Sequence, residues 1–358
     1  MPPNLTVATK VQASACVSEA TSTGEPDFTD VGAEMIIEPI ANSTRGARMG
    51  PNGLSQLLAD IQDDIATELA TTPDVVEKDP ASFDVKELAI EKREWHQLDD
   101  VVAVVVDLKG SSRLGTGKHA SSTASIYEAS TDNAVGVLKH FGADFIQIQG
   151  DGAFGLFWGD NRYEKAVCAG ITVKTFSVGL SEKIRKKWPD APETGYKVGI
   201  ANGRVLAKRI GTPRNPNEQE PIWSGKPVNY AAKAAQTADL GELIVSADVW
   251  ASIEDNDYLT TTCAHEPGAK PVALWRNKTI DNVPEEDDSR YGRVLTSSWC
   301  TSCGETFCDA ILQGETTRTE SEKARDESMR SARAGNLEKV MADKKASARN
   351  RRNGLSSR

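Results

Sequence analysis

VVAVVVDLKGSS at 101–112 and DFIQIQGDGAFGLFW at 144–158 decide how this chain folds. Val101–Val106 is an unbroken run of small and β-branched apolar residues, which reads as a central strand buried on both faces; Asp107 stands where the run stops. In the second stretch two runs, Phe145–Gln149 and Ala153–Phe157, flank Gly150-Asp151-Gly152, and Asp-Gly between two such runs predicts a tight hairpin. With the hairpin beside the first strand, Asp107 and Asp151 meet at one edge of the sheet. Either aspartate alone is equally explained by local turn chemistry, because its short carboxylate caps nearby backbone and tolerates left-handed geometry. Together they offer two hard oxygen ligands beside a Gly110-Ser111-Ser112 loop, a set suited to Mg²⁺ or Mn²⁺ carrying a triphosphate.

Further along, KVGIANGRVLAKRIG at 197–211 predicts another hairpin, with Asn202-Gly203 as its turn. WSGKPVNYAAKAAQTA at 223–238 reads as a loop leading into an amphipathic helix, with Pro227 tolerated in the first turn. Asn229 and Lys233 are four apart and share one face of that helix. Residues 98–255 thus run strand, helix, hairpin, strand hairpin, helix, strand, helix. That order fits an α+β, ferredoxin-like or polymerase-palm-type layout, an antiparallel-rich sheet with helices packed on it. Gly115-Thr116-Gly117-Lys118 is not a P-loop: the spacing requires glycine at 112 and Ser or Thr at 119, where the chain has Ser112 and His119.

Taken together, these segments resemble the class III nucleotidyl cyclases over about residues 98–255. Gly225, Val228, Asn229, Ala231 and Lys233 match that family's G-x-x-V-N-x-A-x-[RK] segment. The strings DLKGSS at Asp107–Ser112 and STASIY at Ser122–Tyr127 are similar to the bacterial pyrimidine cyclases of Pycsar antiphage defence. The resemblance implies two divalent ions per site, Mn²⁺ or Mg²⁺, held by Asp107 and Asp151. It also implies that Asn229 orients the ribose and that Lys233, where most members carry Arg, counters charge on the α-phosphoryl oxygens. The backbone of Leu108, Lys109, Gly110, Ser111 and Ser112 would cradle the phosphates. The family works as a homodimer with shared sites, the aspartates from one protomer and the Asn and basic residue from the other. Its base-selecting positions fall on Gln147 and on Ile222, with Trp223 alongside. Purine cyclases carry Lys or Glu at the first and Asp or Cys at the second, so a pyrimidine is favoured, UTP before CTP. The implied product is cyclic UMP, read by a separate cyclic-nucleotide effector during antiphage defence. Cyclic CMP, a purine product and a cyclase-fold binding module without turnover are the alternatives.

The remaining sequence bounds the picture. With 42 Lys and Arg against 52 Asp and Glu, the net charge is −10, which argues against nucleic-acid binding. No apolar stretch approaches the roughly 20 residues of a membrane helix, and no basic-then-apolar amino terminus marks a signal peptide, so a cytoplasmic protein is expected. Residues 1–52, rich in Ser, Thr, Pro and Gly, are expected to be a disordered extension. Residues 53–97 read as an amphipathic helix and connector. The stripe Leu54, Leu57, Leu58, Ile61, Ile65 and Leu69 is expected to pack on its own domain, or to form a dimer contact. A cysteine-containing extension occupies 256–314, and 315–358 is a charged tail whose Lys344, Lys345, Arg349, Arg351, Arg352 and Arg358 are expected in solvent. Cys168 reads as helix core. Cys300 and Cys303, with Cys308 close by, have zinc-ligand spacing, and Cys263 or His265 could complete four ligands; ordinary buried or surface thiols fit the same spacing.

Overall fold

The computed structural model describes residues 53–264 and 269–355, with side chains to residue 345. The extension expected over 1–52 lies outside the described residues, as do His265 and Arg358. In chain order the elements begin with α1 (Leu54–Ala70), β1 (Asp74–Glu77), β2 (Glu94–Lys109), α2 (Ser111–Leu114) and α3 (Ala120–Tyr127). One π-helical turn, Glu128–Asp132, joins α3 to α4 (Asn133–His140). Then come β3 (Phe145–Gln149), β4 (Gly152–Phe157), α5 (Arg162–Lys187), β5 (Gly195–Gly211), β6 (Gln219–Gly225), α6 (Lys226–Thr237), β7 (Leu243–Val245) and α7 (Ala247–Ile253). The last elements are α8 (Asp257–Thr260), β8 (Trp275–Thr279), β9 (Tyr291–Leu295), α9 (Thr301–Leu312) and α10 (Thr319–Leu355).

The sheet runs β3-β4-β2-β5-β7-β9-β8, with β1 beside β2 and β6 beside β5. β2 pairs antiparallel with both β4 and β5, so the strand that carries Asp107 is central, as its apolar run requires. Alternation along β2 splits its side chains between two cores. Val102, Val104, Val106 and Leu108 join the core that includes α5 residues Val167, Cys168 and Ile171. Leu98, Val101 and Ala103 join the core of α6 residues Tyr230, Ala231 and Ala234 and the aromatics Phe83, Phe154, Trp158 and Trp223. The order β2, helix, β3-β4, α5, β5 is the complete ferredoxin-like βαββαβ plan, with β5 beside β2, extended by β7, β9 and β8.

Several expectations need correction. Asn202-Gly203 is not a turn: both residues lie inside the unbroken β5, and the β5–β6 reversal falls at 212–218. The local irregularity there is a register shift in β2 between Leu98 and Val101, where Asp100 adopts φ 56°. Asn202 is spent holding that bulge. Its amide donates to Asp100 Oδ1 at 3.1 Å and to the Tyr163 hydroxyl at 2.7 Å, while Tyr163 and the Arg162 guanidinium also donate to Asp100. The central strand extends past Val101–Val106 to Glu94–Lys109, so Asp107 lies within it, and the 73–97 connector contains β1 and the start of β2. The α1 stripe forms as a helix but none of its residues is buried; Leu54, Leu58, Ile61, Ile65 and Leu69 all face out. The charged tail forms the helix α10, and the segment enters it with Arg318 and Ser321 buried and Arg325 paired to Asp257 at 2.8 Å. No helix among the described residues is long and apolar enough to cross a membrane.

Candidate active site

β2 and the β3–β4 hairpin bring the two aspartates to one edge. The register Val106↔Ala153, continued by one residue, sets Asp107 across from Gly152, with Asp151 next in the turn. Gly152 makes this approach possible: a Cβ there would lie 2.5 Å from the Val106 carbonyl oxygen and 3.7 Å from Asp107 Cα. Both aspartates remain half exposed. Beyond Asp107 the chain turns at Gly110 (φ 80°) into α2, and Thr194 Oγ1 pins the turn by donating to the Lys109 carbonyl at 2.7 Å. Leu108 is buried, so only its backbone faces the edge, whereas Lys109 and Ser112 are exposed.

Two residues at this edge carry no motif and escape a reading by motif. Lys197, directly across β5 from Asp107, places its Nζ 3.7 Å from Asp107 Oδ2 and donates to the Gln236 carbonyl at 3.2 Å. Tyr196 beside it is fully buried; burial, joined by the negative charge of Asp151, pushes its phenol well above the ordinary range. Only the strand register, counted back from Asp107, would have picked out this pair.

Asn229 and Lys233 occupy a different part of the same face. Asn229 is exposed in the first turn of α6 and donates to the Gly225 carbonyl at 3.0 Å. Lys233 Nζ sits 5.1 Å from the centre of the Tyr230 ring. The Tyr230 hydroxyl donates to Asp287 Oδ2 at 2.8 Å, and Lys226 pairs with the same oxygen at 2.6 Å. Burial alone would raise Asp287, but hydrogen bonds from Lys226, Tyr230 and Ser289 outweigh it and hold the carboxyl well below the usual carboxylate range. The start of α6 stands over Gly203, where a Cβ would meet Pro227 at 3.6 Å, whereas Asp107 faces Lys197 six residues back along β5. That is roughly 15–20 Å of strand. One protomer therefore keeps the aspartate pair and Asn229 apart.

The positions expected to select the base divide. Gln147 on β3 reaches across to β6, its Nε2 donating to Glu220 Oε2 at 2.8 Å. Glu220, which the family spacing passes over, thus stands closer to Gln147's chemistry than the motif position Ile222, which is half buried on the same strand. Trp223 faces the core, its ring 4.9 Å from Phe145 and 5.7 Å from Trp158; its buried indole N–H has no partner among the described residues.

The cysteines split as well. Cys263, Cys300 and Cys303 bring their sulfurs within 4.8 Å of one another. Cys308 falls outside that group and instead accepts from the Cys168 thiol between α9 and α5.

No family model matches the chain. Curated relatives do. A uridylate cyclase from Micromonospora echinofusca is 51% identical over 269 residues, which span 75% of this chain and 87% of that protein. A uridylate cyclase from Propioniciclava tarda is 48% identical over 268 residues, covering 74% and 86%. Among solved structures, the adenylyl cyclase CyaB from P. aeruginosa superposes with a TM-score of 0.44 at 16% identity, over 56% of this chain and 96% of that one. On the extent and identity of the two curated alignments, this chain belongs to the uridylate cyclase family of nucleotidyl cyclases.

Proposed function

We propose that the protein converts UTP to 3′,5′-cyclic UMP and pyrophosphate. The observation that carries this reading is 51% identity, over three quarters of the chain, to a protein named uridylate cyclase. In the reaction the ribose 3′-oxygen forms a bond to the α-phosphorus, the bond to the β-phosphate oxygen breaks, and the hydroxyl proton is lost to solvent. Asp107 on β2 and Asp151 in the β3–β4 turn, two half-exposed hard-oxygen donors, fit a pair of divalent ions, Mn²⁺ or Mg²⁺. Bound there, such ions acidify the hydroxyl and neutralise the triphosphate. Lys197 neutralises part of the Asp107 charge and holds that carboxylate at the edge. The backbone of Leu108–Ser112 cradles phosphate oxygens, Asn229 orients the ribose, and Lys233 counters the charge that builds on the α-phosphoryl group.

Base choice follows from the Gln147–Glu220 pair. An ionised Glu220 can only accept, so the amide must turn its NH₂ toward it, leaving Gln147 Oε1 as an acceptor. Uracil offers an N–H at N3 to such an acceptor, whereas cytosine N3 is itself an acceptor and its donor is the N4 amino group, so Gln147 Oε1 favours uracil where it meets N3. The separation of Asn229 from Asp107 within one protomer supports a homodimer in which each site takes the aspartates of one copy and Asn229 and Lys233 of the other. In this reading the enzyme acts in the cytoplasm, and cyclic UMP serves as a second messenger in antiphage defence, read by a separate effector.

The test is incubation of purified protein with ATP, GTP, CTP and UTP separately, with Mn²⁺ or Mg²⁺, and identification of products by mass and chromatography. Cyclic UMP as the main product supports the reading. Cyclic CMP or a purine product would overturn the base assignment, and no product from any of the four would refute turnover under these conditions.

A further inference from the structure

Cys263, Cys300 and Cys303 have no part in the chemistry proposed above. Cys263 leaves the short α8 segment just after the bridge Thr261↔Ala273, and Cys300 and Cys303 open α9. Trp299, buried, locks the second segment onto the first through its indole N–H, which donates to the Tyr258 carbonyl at 2.9 Å. The result is three sulfurs within 4.8 Å of one another, drawn from two segments 37 residues apart. The Cys300 backbone N–H donates to Cys263 Sγ at 3.4 Å, an interaction that favours a negatively charged sulfur.

A second observation concerns charge. The Arg318 side chain is buried, only 4% exposed, and donates to Thr261 Oγ1 at 3.1 Å, to the Thr262 carbonyl at 2.7 Å and to the Cys263 carbonyl at 2.9 Å. Among the described residues its guanidinium forms no ion pair. A buried cation is costly unless negative charge stands near; Asp257 accepts from the Arg318 backbone N–H at 3.1 Å, but its carboxylate is taken up by the pair with Arg325, and neutral thiols or a disulfide would add nothing to it. Three thiolates around one divalent cation carry a net single negative charge, placed beside the segment that Arg318 clasps.

We propose that Cys263, Cys300 and Cys303 form a structural Zn²⁺ site that ties the 257–263 segment to the start of α9. Sulfur donors select a soft or borderline ion over the Mg²⁺ or Mn²⁺ of the catalytic edge, so the two kinds of metal do not compete. Binding releases the thiol protons to solvent, and the fourth tetrahedral position goes to water or a further ligand. The site is independent of the cyclase reading and stands whichever nucleotide is used.

The experiment is elemental analysis of full-length protein purified under reducing conditions, followed by exchange of the metal for Co²⁺. About one zinc per chain is expected, and the Co²⁺ form should show the near-ultraviolet thiolate-to-metal bands and intense visible bands of a tetrahedral sulfur site. Cys300→Ser and Cys303→Ser should each lower zinc occupancy roughly tenfold or more, while Cys308→Ser, outside the cluster, keeps it. If a serine variant does not fold, the Co²⁺ spectrum of the unmodified protein still decides. Unmodified protein that takes up no zinc and gives no thiolate band, occupancy unchanged by Cys300→Ser, or a Cys300–Cys303 disulfide persisting in reductant would each overturn the proposal.

Discussion

Gly152→Ala tests the geometry that joins the two aspartates. The added methyl would lie 2.5 Å from the Val106 carbonyl oxygen, about 0.8 Å inside the ~3.3 Å at which carbon meets carbonyl oxygen comfortably. The obstacle is backbone, so relief requires β4 to retreat from β2 at the Val106↔Ala153 pair, carrying the Asp151 turn with it. Overpacking of this kind costs about 1–3 kcal/mol, and the loss of one ladder hydrogen bond adds about 1 kcal/mol. For a chain of this size, a loss of 2–4 kcal/mol lowers Tm by roughly 3–6 °C. A shift near 1 Å in a catalytic group costs on the order of 10²-fold in rate. The control is Gly150→Ala: Gly150 has φ 63° with nothing within 4 Å of a Cβ, so its cost is backbone strain of about 1–2 kcal/mol. Calorimetry and a pyrophosphate-release assay with UTP should therefore give a Tm loss for both, but a hundredfold loss of turnover only for Gly152→Ala. Wild-type turnover and wild-type Tm in Gly152→Ala would refute the claim that close approach of β4 sets the position of Asp151.

Three further outcomes are expected. Asp107→Ala and Asn229→Ala should each be inactive, yet an equal mixture allowed to exchange subunits should recover roughly a quarter of wild-type activity, because half the dimers pair unlike chains and each of those has one intact site. No recovery despite proven exchange would count against shared sites. Glu220→Gln releases the amide of Gln147 to turn either way, so the ratio of kcat/KM for UTP over CTP should fall about tenfold with Tm unchanged; an unaltered ratio would remove Glu220 from base choice. In the bulge network, burial would raise Asp100, but hydrogen bonds from Arg162, Tyr163 and Asn202 outweigh it and lower its carboxyl below the ordinary 3.8, while burial and the bond to Asp100 push Tyr163 up to about 12. A depressed carboxylate contributes stability that is present above its unfolded pKa and lost as pH falls through the folded one. Asp100→Asn should thus be less stable than wild type above about pH 5, and the two should converge in acid, as read by urea denaturation; a constant gap at all pH values would contradict this.

Much of the catalytic half was legible because local rules and buried pairing agreed there. An all-apolar run such as Val101–Val106 has no stable place except between two covered faces, and Gly150-Asp151-Gly152 between two strands leaves the backbone few options. The helix bearing Asn229 and Lys233 followed from its period, and the spacing of its residues carried the family likeness. Asn202-Gly203 misled for the same local reason: the dipeptide suits a turn, but the neighbouring strand β2 supplies the bulge and consumes the Asn202 amide, so β5 runs straight through.

What lay beyond the sequence was everything set by contacts between distant segments. Lys197 meets Asp107 only through the register of β2 with β5, and Glu220 meets Gln147 across 73 residues because β6 folds back on β5. Cys300 and Cys303 announced themselves by spacing, but their third partner was decided by how α9 packs: that packing turned Cys308 toward Cys168 and drew Cys263 in. The α1 stripe shows the same boundary from the other side. Its period specifies an amphipathic helix, but which surface covers a helix depends on what stands next to it, and within this chain its apolar face stays exposed. Periodicity and turn chemistry act over a few residues and can be read along the chain, whereas charge pairs, ligand sets and covered faces belong to positions that only the closed tertiary structure brings within reach.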